Sequence, residues 1–219
     1  MRFNEEPKIE VGTHTRAHFL MGIPTLGMVP IEFVVAFGRL QMPVNAKVQS
    51  MIVTKTEVGV ARNHVVEFAL SMQQKPEYIF FLGDDMLPPW DGLIKLHQEM
   101  MTGKWDVLAG IYFIKQDLPI PIIWRRDVIG YLEPYKHYQP GEVVNCDVVG
   151  MDFTMIKTSI FEKLEKPWFK TGPTEYEGNL VTHTEDVWFA DLVKANGFKI
   201  GCHTGVRVGH LDIKQGEVY

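Results

Sequence analysis

The chain has 219 residues, of which 46% are hydrophobic and 22% charged, with 19 Gly and 13 Pro. This is ordinary globular composition, long enough for one sizeable core or two small ones. A net charge of −5 without a basic cluster gives no electrostatic footing on nucleic acid or on an anionic membrane.

The opening "MRFNEEPKIE" is charged and has no apolar stretch, so no signal peptide is expected. The two cysteines, Cys146 and Cys202, form no CxxC pair and read as buried thiols of a reduced, cytoplasmic protein. Residues 19–37 are apolar over a membrane-spanning length, but Gly22, Pro24, Gly27, Pro30 and Glu32 interrupt them. A strand, a loop and a helix are expected there instead, and no membrane span.

In chain order, "AHFLMGIP" reads as a buried strand and "PIEFVVAFGRLQ" as a helix entered at Pro30, a favoured first-turn residue. "AKVQSMIVT" is a second strand. In "GVARNHVVEFALSMQ", Ala61, Val65, Phe68, Ala69 and Met72 share one helical face. "EYIFFLG" is an unbroken apolar run of the kind buried on both faces of a parallel sheet. Asp91 can cap a helix running to Met101 and closed by Gly103, after which "WDVLAGIYF" gives a fourth strand.

Residues 115–143 show no periodicity. Pro119 and Pro121 precede Trp124, and Tyr, Arg and His cluster after it, which suggests a binding loop or lid. "CDVVGMDFTMIKTSIFEKLEKPWF" reads as a strand then a helix. "HTEDVWFADLVKANGFKIGCHTGVRVGHL" reads as a capped helix closed by Gly197, then a last strand. Repeated strand–helix–strand units imply an α/β fold with a mostly parallel central sheet flanked by helices.

Ligands of such sheets bind beyond the carboxyl ends of the strands, where Asp84 and Asp85 stand. Two adjacent carboxylates raise one another's pKa unless a cation compensates, and hard oxygen donors suit Mg²⁺ or Mn²⁺ held together with phosphates. The pair alone is equally explained by Asp85 capping the turn before Pro88 and Pro89. Likewise Arg62 and Asn63 can be a first-turn arginine meeting a phosphate, or merely an exposed helix start. Glu185 and Asp186, after Thr184, sit where a helix dipole favours negative charge.

Taken in order, "GVARNHVVEFAL…PEYIFFLGDDMLPP", "VVGMDFTMIKTSIFEKL" and "TEDVWFADLVKANGFKIG" closely resemble the GT-A glycosyltransferases, family 2 above all. The likeness runs from about Ala17 to His210. It implies a single GT-A domain, with residues 17–113 as the nucleotide-sugar half and 114–219 as the acceptor half. By the same resemblance Asp85 ligates the metal that holds the donor diphosphate, and Asp84 contacts the donor ribose or sugar. Pro24 and Thr25 flank the nucleoside, and Arg62 with Asn63 lies near base or phosphates. Asp186 is the base that deprotonates the acceptor hydroxyl, with Glu185 beside it, and His210 is a further metal ligand. Gly83 stands where many relatives have another Asp.

Asp152 and Trp124 are candidate acceptor contacts, by hydroxyl binding and by stacking on a sugar face. Asp152 at a strand start also reads as simply solvent-facing, and Trp124 as packing under the loop. Arg125 and Arg126 would cover the diphosphate on closure, while His183 and His203 read as packing or acceptor-side residues. The expected activity is metal-dependent, inverting transfer of a sugar from a UDP-sugar to an acceptor hydroxyl, with Mn²⁺ or Mg²⁺ as cofactor. A sugar-phosphate nucleotidyltransferase is the rival enzyme, disfavoured because "GIPTLGMVP" carries no Lys or Arg. A non-catalytic carbohydrate-binding module is the other alternative. Inversion is favoured by the family 2 resemblance, but retention stays open because a terminal His also occurs in retaining families; donor sugar, acceptor and oligomeric state stay open too.

Overall fold

The computed structural model describes residues 17–176 and 179–219, the side chains of 174–181 excepted. The charged opening decapeptide lies outside the described residues. The strands are β1 His18–Thr25, β2 Lys47–Thr54, β3 Tyr78–Leu82, β4 Met86–Leu87, β5 Val107–Ile111, β6 Ile123–Arg126, β7 Leu132–Pro134 and β8 Val143–Cys146. They continue as β9 Val148–Val149, β10 Phe153–Lys157, β11 Gly172–Tyr176, β12 Asn179–His183, β13 Ile200–Arg207, β14 Gly209–Asp212 and β15 Glu217–Val218. The helices are α1 Ile31–Arg39, α2 Val58–Ser71, α3 Gly92–Met100 and α4 Glu185–Ala195.

Seven strands form the central sheet in the order β2-β1-β3-β10-β5-β13-β8. β1 is parallel to β2 and β3, and β13 is parallel to β5. β10 is antiparallel to both β3 and β5, which therefore run the same way, and β8 is antiparallel to β13. The sheet is mostly parallel, as expected.

Alternation along the strands feeds two cores. On β3, Ile79 and Phe81 pack with Ala61, Val65 and Ala69 of α2 and with Phe189 and Val193 of α4. Tyr78, Phe80 and Leu82 join Phe33 of α1 and Leu93, Leu96 and Met100 of α3. The apolar run is continuous because both faces of β3 are covered.

Three expectations change. Residues 115–143 are not irregular throughout: β6 and β7 form a hairpin, Trp124 opposite Pro134, and β6 also pairs with β9. Strands of three and four residues are too short to show a period. Directly after β10 there is a 3-10 turn over Thr158–Ile160 in place of the expected α-helix. There the Trp168 indole N–H is shared between the carbonyls of Phe161 and Leu164, at 3.2 and 3.1 Å, so those carbonyls serve the core rather than a longer helix. The last strand does not run on to His210. It ends at Arg207, and β14 turns away to pair with β4, His210 opposite Met86.

Both cysteines are buried and free. The apolar stretch 19–37 resolves into β1, a loop and α1, and no helix among the described residues is long and apolar enough to cross a membrane.

Candidate active site

Asp84 and Asp85 leave the carboxyl end of β3, and the end of the chain fixes them there. The Leu211 N–H donates to the Asp85 carbonyl at 2.9 Å, beside the β4–β14 pair. This places His210 against the Asp85 carboxylate, Nε2 to Oδ2 3.5 Å. His210 Nδ1 lies 2.7 Å from the Phe113 carbonyl. A carbonyl only accepts, so Nδ1 carries a proton, and Nε2 is the ring nitrogen turned toward Asp85. The Lys115 ammonium reaches the same Oδ2 at 2.5 Å. Burial by itself raises the Asp85 carboxyl, but His210 and Lys115 outweigh it and hold it below the usual aspartate range. Asp84 is half-buried and has no hydrogen bond or ion pair among the described residues.

Arg62 lies beneath. It leaves the second turn of α2 but is only 2% exposed, and its guanidinium donates to Asp152 Oδ1 at 2.6 Å and to Glu185 Oε1. Phe81 and Phe169 flank it at 5.7 and 6.0 Å. Asn63 is equally committed: its amide donates to the Phe169 carbonyl at 2.7 Å and accepts from the Phe169 N–H at 3.1 Å. Neither side chain is the outward-facing helix start expected to meet base or phosphate. Both tie α2 to segments more than 80 residues away, Arg62 by 90 and 123 residues and Asn63 by 106.

Asp152, at the foot of β10, keeps 32% side-chain exposure. Its N–H donates to the Tyr112 hydroxyl at 3.2 Å, and that hydroxyl lies 3.5 Å from Oδ2. Enclosure by protein pushes the Asp152 carboxyl up, against the pull of Arg62, and the negative charge of Asp85 adds to the rise. Glu185 is pushed up for the same first reason, burial, with Arg62 opposing and Asp186 reinforcing. Glu185 is thus bound to Arg62, whereas Asp186 uses Oδ1 for the Thr184 hydroxyl and the Val187 N–H. Asp186 Oδ2 has no partner among the described residues. Thr184 begins α4 without a side-chain cap to the backbone because its hydroxyl is spent on Asp186.

At the end of β1, Thr25 Oγ1 accepts from the Gly27 N–H at 3.0 Å and closes a tight turn whose Gly27 has φ +106°. Pro24 precedes it half-buried, and Leu26 and Met28 stand exposed beyond it. Trp124 is not an exposed platform, since it packs half-buried against the α2–α4 core. Arg125 lies over the Tyr135 ring at 3.6 Å and Arg126 pairs with Asp191 of α4 at 2.5 Å, so both pin the hairpin rather than the Asp85 end. His203 Nδ1 accepts from the Gly205 N–H and is accounted for by local packing.

Lys115, Tyr112 and Glu57 were missed by the sequence reading. Lys115 and Tyr112 follow β5, and the rule that strand ends face one cleft is the signal that would have marked them. Glu57 is the N-cap of α2: it accepts from the Val60 N–H at 2.9 Å and from the Thr171 hydroxyl at 2.8 Å.

Among the described residues, no three His, Cys, Asp or Glu side chains converge as a metal site. Asp85 and His210 still suit a divalent ion as two oxygen and nitrogen donors, with phosphate oxygens and water completing the shell. No family model matches the sequence, and no curated protein matches it. Solved structures do match. The crystal structure of A197 from STIV superposes with TM-score 0.65 at 18% identity, covering 92% of each chain. This is a GT-A fold. GalNAc-T7, crystallised with UDP, GalNAc and Mn²⁺, superposes with TM-score 0.60 at 9% identity, over 90% of this chain and 43% of that one.

Proposed function

We propose that the chain is a GT-A glycosyltransferase that moves a sugar from a nucleoside diphosphate sugar, a UDP-sugar first, to an acceptor hydroxyl. The observation that carries this is the Asp85–His210 pair: a carboxylate and an imidazole nitrogen set 3.5 Å apart at the carboxyl end of the central sheet, where such folds bind ligands. The same combination of UDP and Mn²⁺ in GalNAc-T7 supports it.

Asp85 and His210 would hold Mn²⁺ or Mg²⁺, which neutralises the diphosphate as a leaving group. Lys115, paired with Asp85 in the free protein, is close enough to turn its charge to the diphosphate. Asp84 takes the donor ribose or sugar, and Pro24 and Thr25 border the nucleoside. Asp186 accepts the proton of the attacking hydroxyl, which reaches the anomeric carbon from the face opposite the diphosphate and so inverts it. The Thr184 hydroxyl orients Asp186. Arg62 acts through others, fixing Glu185 and Asp152 from below. Residues 17–113 form the donor half and 114–219 the acceptor half.

The test is incubation with a panel of nucleotide sugars, with Mn²⁺ or with chelator, while nucleotide release and donor binding are followed. Asp85→Asn is expected to abolish metal-dependent donor binding. Asp186→Asn is expected to bind donor normally and to lose transfer by about 10²–10⁴-fold, the usual worth of a general base. If no nucleotide sugar is bound or cleaved under any metal condition, the reading fails. Transfer by Asp186→Asn at the wild-type rate would instead return Asp186 to a helix-start role.

A further inference from the structure

Gly83 lies between β3 and the Asp pair, and its Cβ position is already taken. A methyl group built there would lie 2.9 Å from Asp152 Cβ, 3.0 Å from Cγ and 3.2 Å from Oδ1. Real side chains do not approach so closely, and an acid at 83 would also face a like charge. The two residues are locked together by the Gly83 N–H, which donates to the Asp152 carbonyl at 2.8 Å, one step beyond the Leu82–Phe153 pair. The strand leading to Asp84 and Asp85 therefore has no side chain of its own at this step. The neighbouring antiparallel strand fills the place with a carboxylate.

That carboxylate is held for use. Oδ1 is anchored by Arg62 at 2.6 Å. Oδ2 has no partner among the described residues nearer than the Tyr112 hydroxyl at 3.5 Å. The Tyr112 hydroxyl is itself seated over Gly150, where a Cβ would come within 2.0 Å of it. With its backbone and one oxygen fixed and 32% of the side chain accessible, Asp152 presents one open acceptor beside Asp85. Sugar hydroxyls are what such an acceptor takes, because each O–H needs a partner once water is excluded. Diphosphate oxygens and Asp85 would repel it.

We propose that Asp152, occupying the side-chain space of Gly83, accepts a hydrogen bond from a hydroxyl of the transferred sugar and so selects the donor. This rests on the glycosyltransferase reading and moves Asp152 from the acceptor to the donor side. It acts on the sugar and not on the nucleotide.

The experiment compares binding of uridine, guanosine and adenosine diphosphates with binding of their hexose conjugates, by calorimetry with Mn²⁺. It uses the wild type, Asp152→Asn, Asp152→Gly, Gly83→Asp and the double variant Gly83→Asp/Asp152→Gly, and thermal unfolding is recorded for each. Asp152→Asn is expected to weaken the preferred nucleotide sugar by about tenfold or more, as when a polar site loses its hydroxyl partner, with the nucleoside diphosphate changed less than about twofold. Gly83→Asp is expected to lower both the unfolding temperature and nucleotide-sugar affinity. The double variant is expected to recover both, because the carboxylate then reaches the same space from the other strand. Equal weakening of nucleotide and nucleotide sugar by Asp152→Asn would overturn the proposal, as would a double variant no better than Gly83→Asp. Absence of any nucleotide-sugar binding to the wild type would overturn the glycosyltransferase reading and this contact together. Discrimination that persists unchanged in the Asp152 variants, with the wild type still binding nucleotide sugar, sinks only the contact.

Discussion

Arg62 and Lys166 each face a carboxylate, and only their surroundings separate them. Arg62 is 2% exposed between Asp152 and Glu185, while Lys166 and Glu67 are 59% and 49% exposed at 2.8 Å. Removing a buried cation leaves its carboxylates uncompensated, at about 3–5 kcal/mol; an exposed pair contributes about 0–1 kcal/mol. Arg62→Met is therefore expected to lose several kcal/mol in urea unfolding, and Lys166→Met to stay near the wild type. Glu57 adds a pH dependence. Burial raises its carboxyl, but the Val60 and Gly59 N–H groups, the Thr171 hydroxyl and Arg62 bring it below the ordinary glutamate value. A depressed carboxyl contributes stability that is fully present above its ordinary value and lost as pH falls through the folded value. The stability gap between wild type and Glu57→Gln should be widest at neutral pH and close on acidification. A gap that stays constant would mean that the charge plays no part.

At the scale of elements, α2 approaches β1 at Gly22. A Cβ on Gly22 would lie 2.8 and 2.9 Å from the two Val65 methyls and 3.1 Å from Phe81. Gly22→Ala must push α2 outward, and with it Arg62, one turn earlier on the same helix. Overpacking of this kind costs about 1–3 kcal/mol. Gly22→Ala is expected to lower stability by that amount, and adding Val65→Ala to recover part of it, since the two groups share one space. Additive losses in the double variant would show that the close approach does not matter. The element pattern was largely legible: β1 to β3, α1 and α2 follow side-chain period, and α4 lies between its Thr184 start and its Gly197 stop. β14 was not, because its break at Val208 depends on pairing with β4, and two-residue strands leave no periodic trace.

For the whole molecule, the proposed site draws on distant parts of the chain: Asp85 after β3, Lys115 after β5, His210 on β14 and Asp186 on α4. Donor and metal bound together should bridge these parts and stabilise the native state by linkage, about 2.7 kcal/mol at 100 times Kd. The unfolding temperature is expected to rise with nucleotide sugar plus Mn²⁺ and to fall back with chelator. An unchanged midpoint under saturating conditions would count against a site assembled from these elements.

The sequence by itself determined the alternation of strands and helices, the buried β3 and the acidic pair at its end. These are local properties, written in side-chain period, caps and an apolar run that stops at a charge. It also determined which acids begin α4. Only the tertiary structure decided what those residues face. Arg62 is enclosed because β10 and α4 close over it, Lys115 meets Asp85 because β5 ends beside the site, and Gly83 has no room because Asp152 fills it. Each of these is a contact between residues 30 to 123 positions apart. Burial and ion pairing depend on that distance in space, which no local pattern encodes.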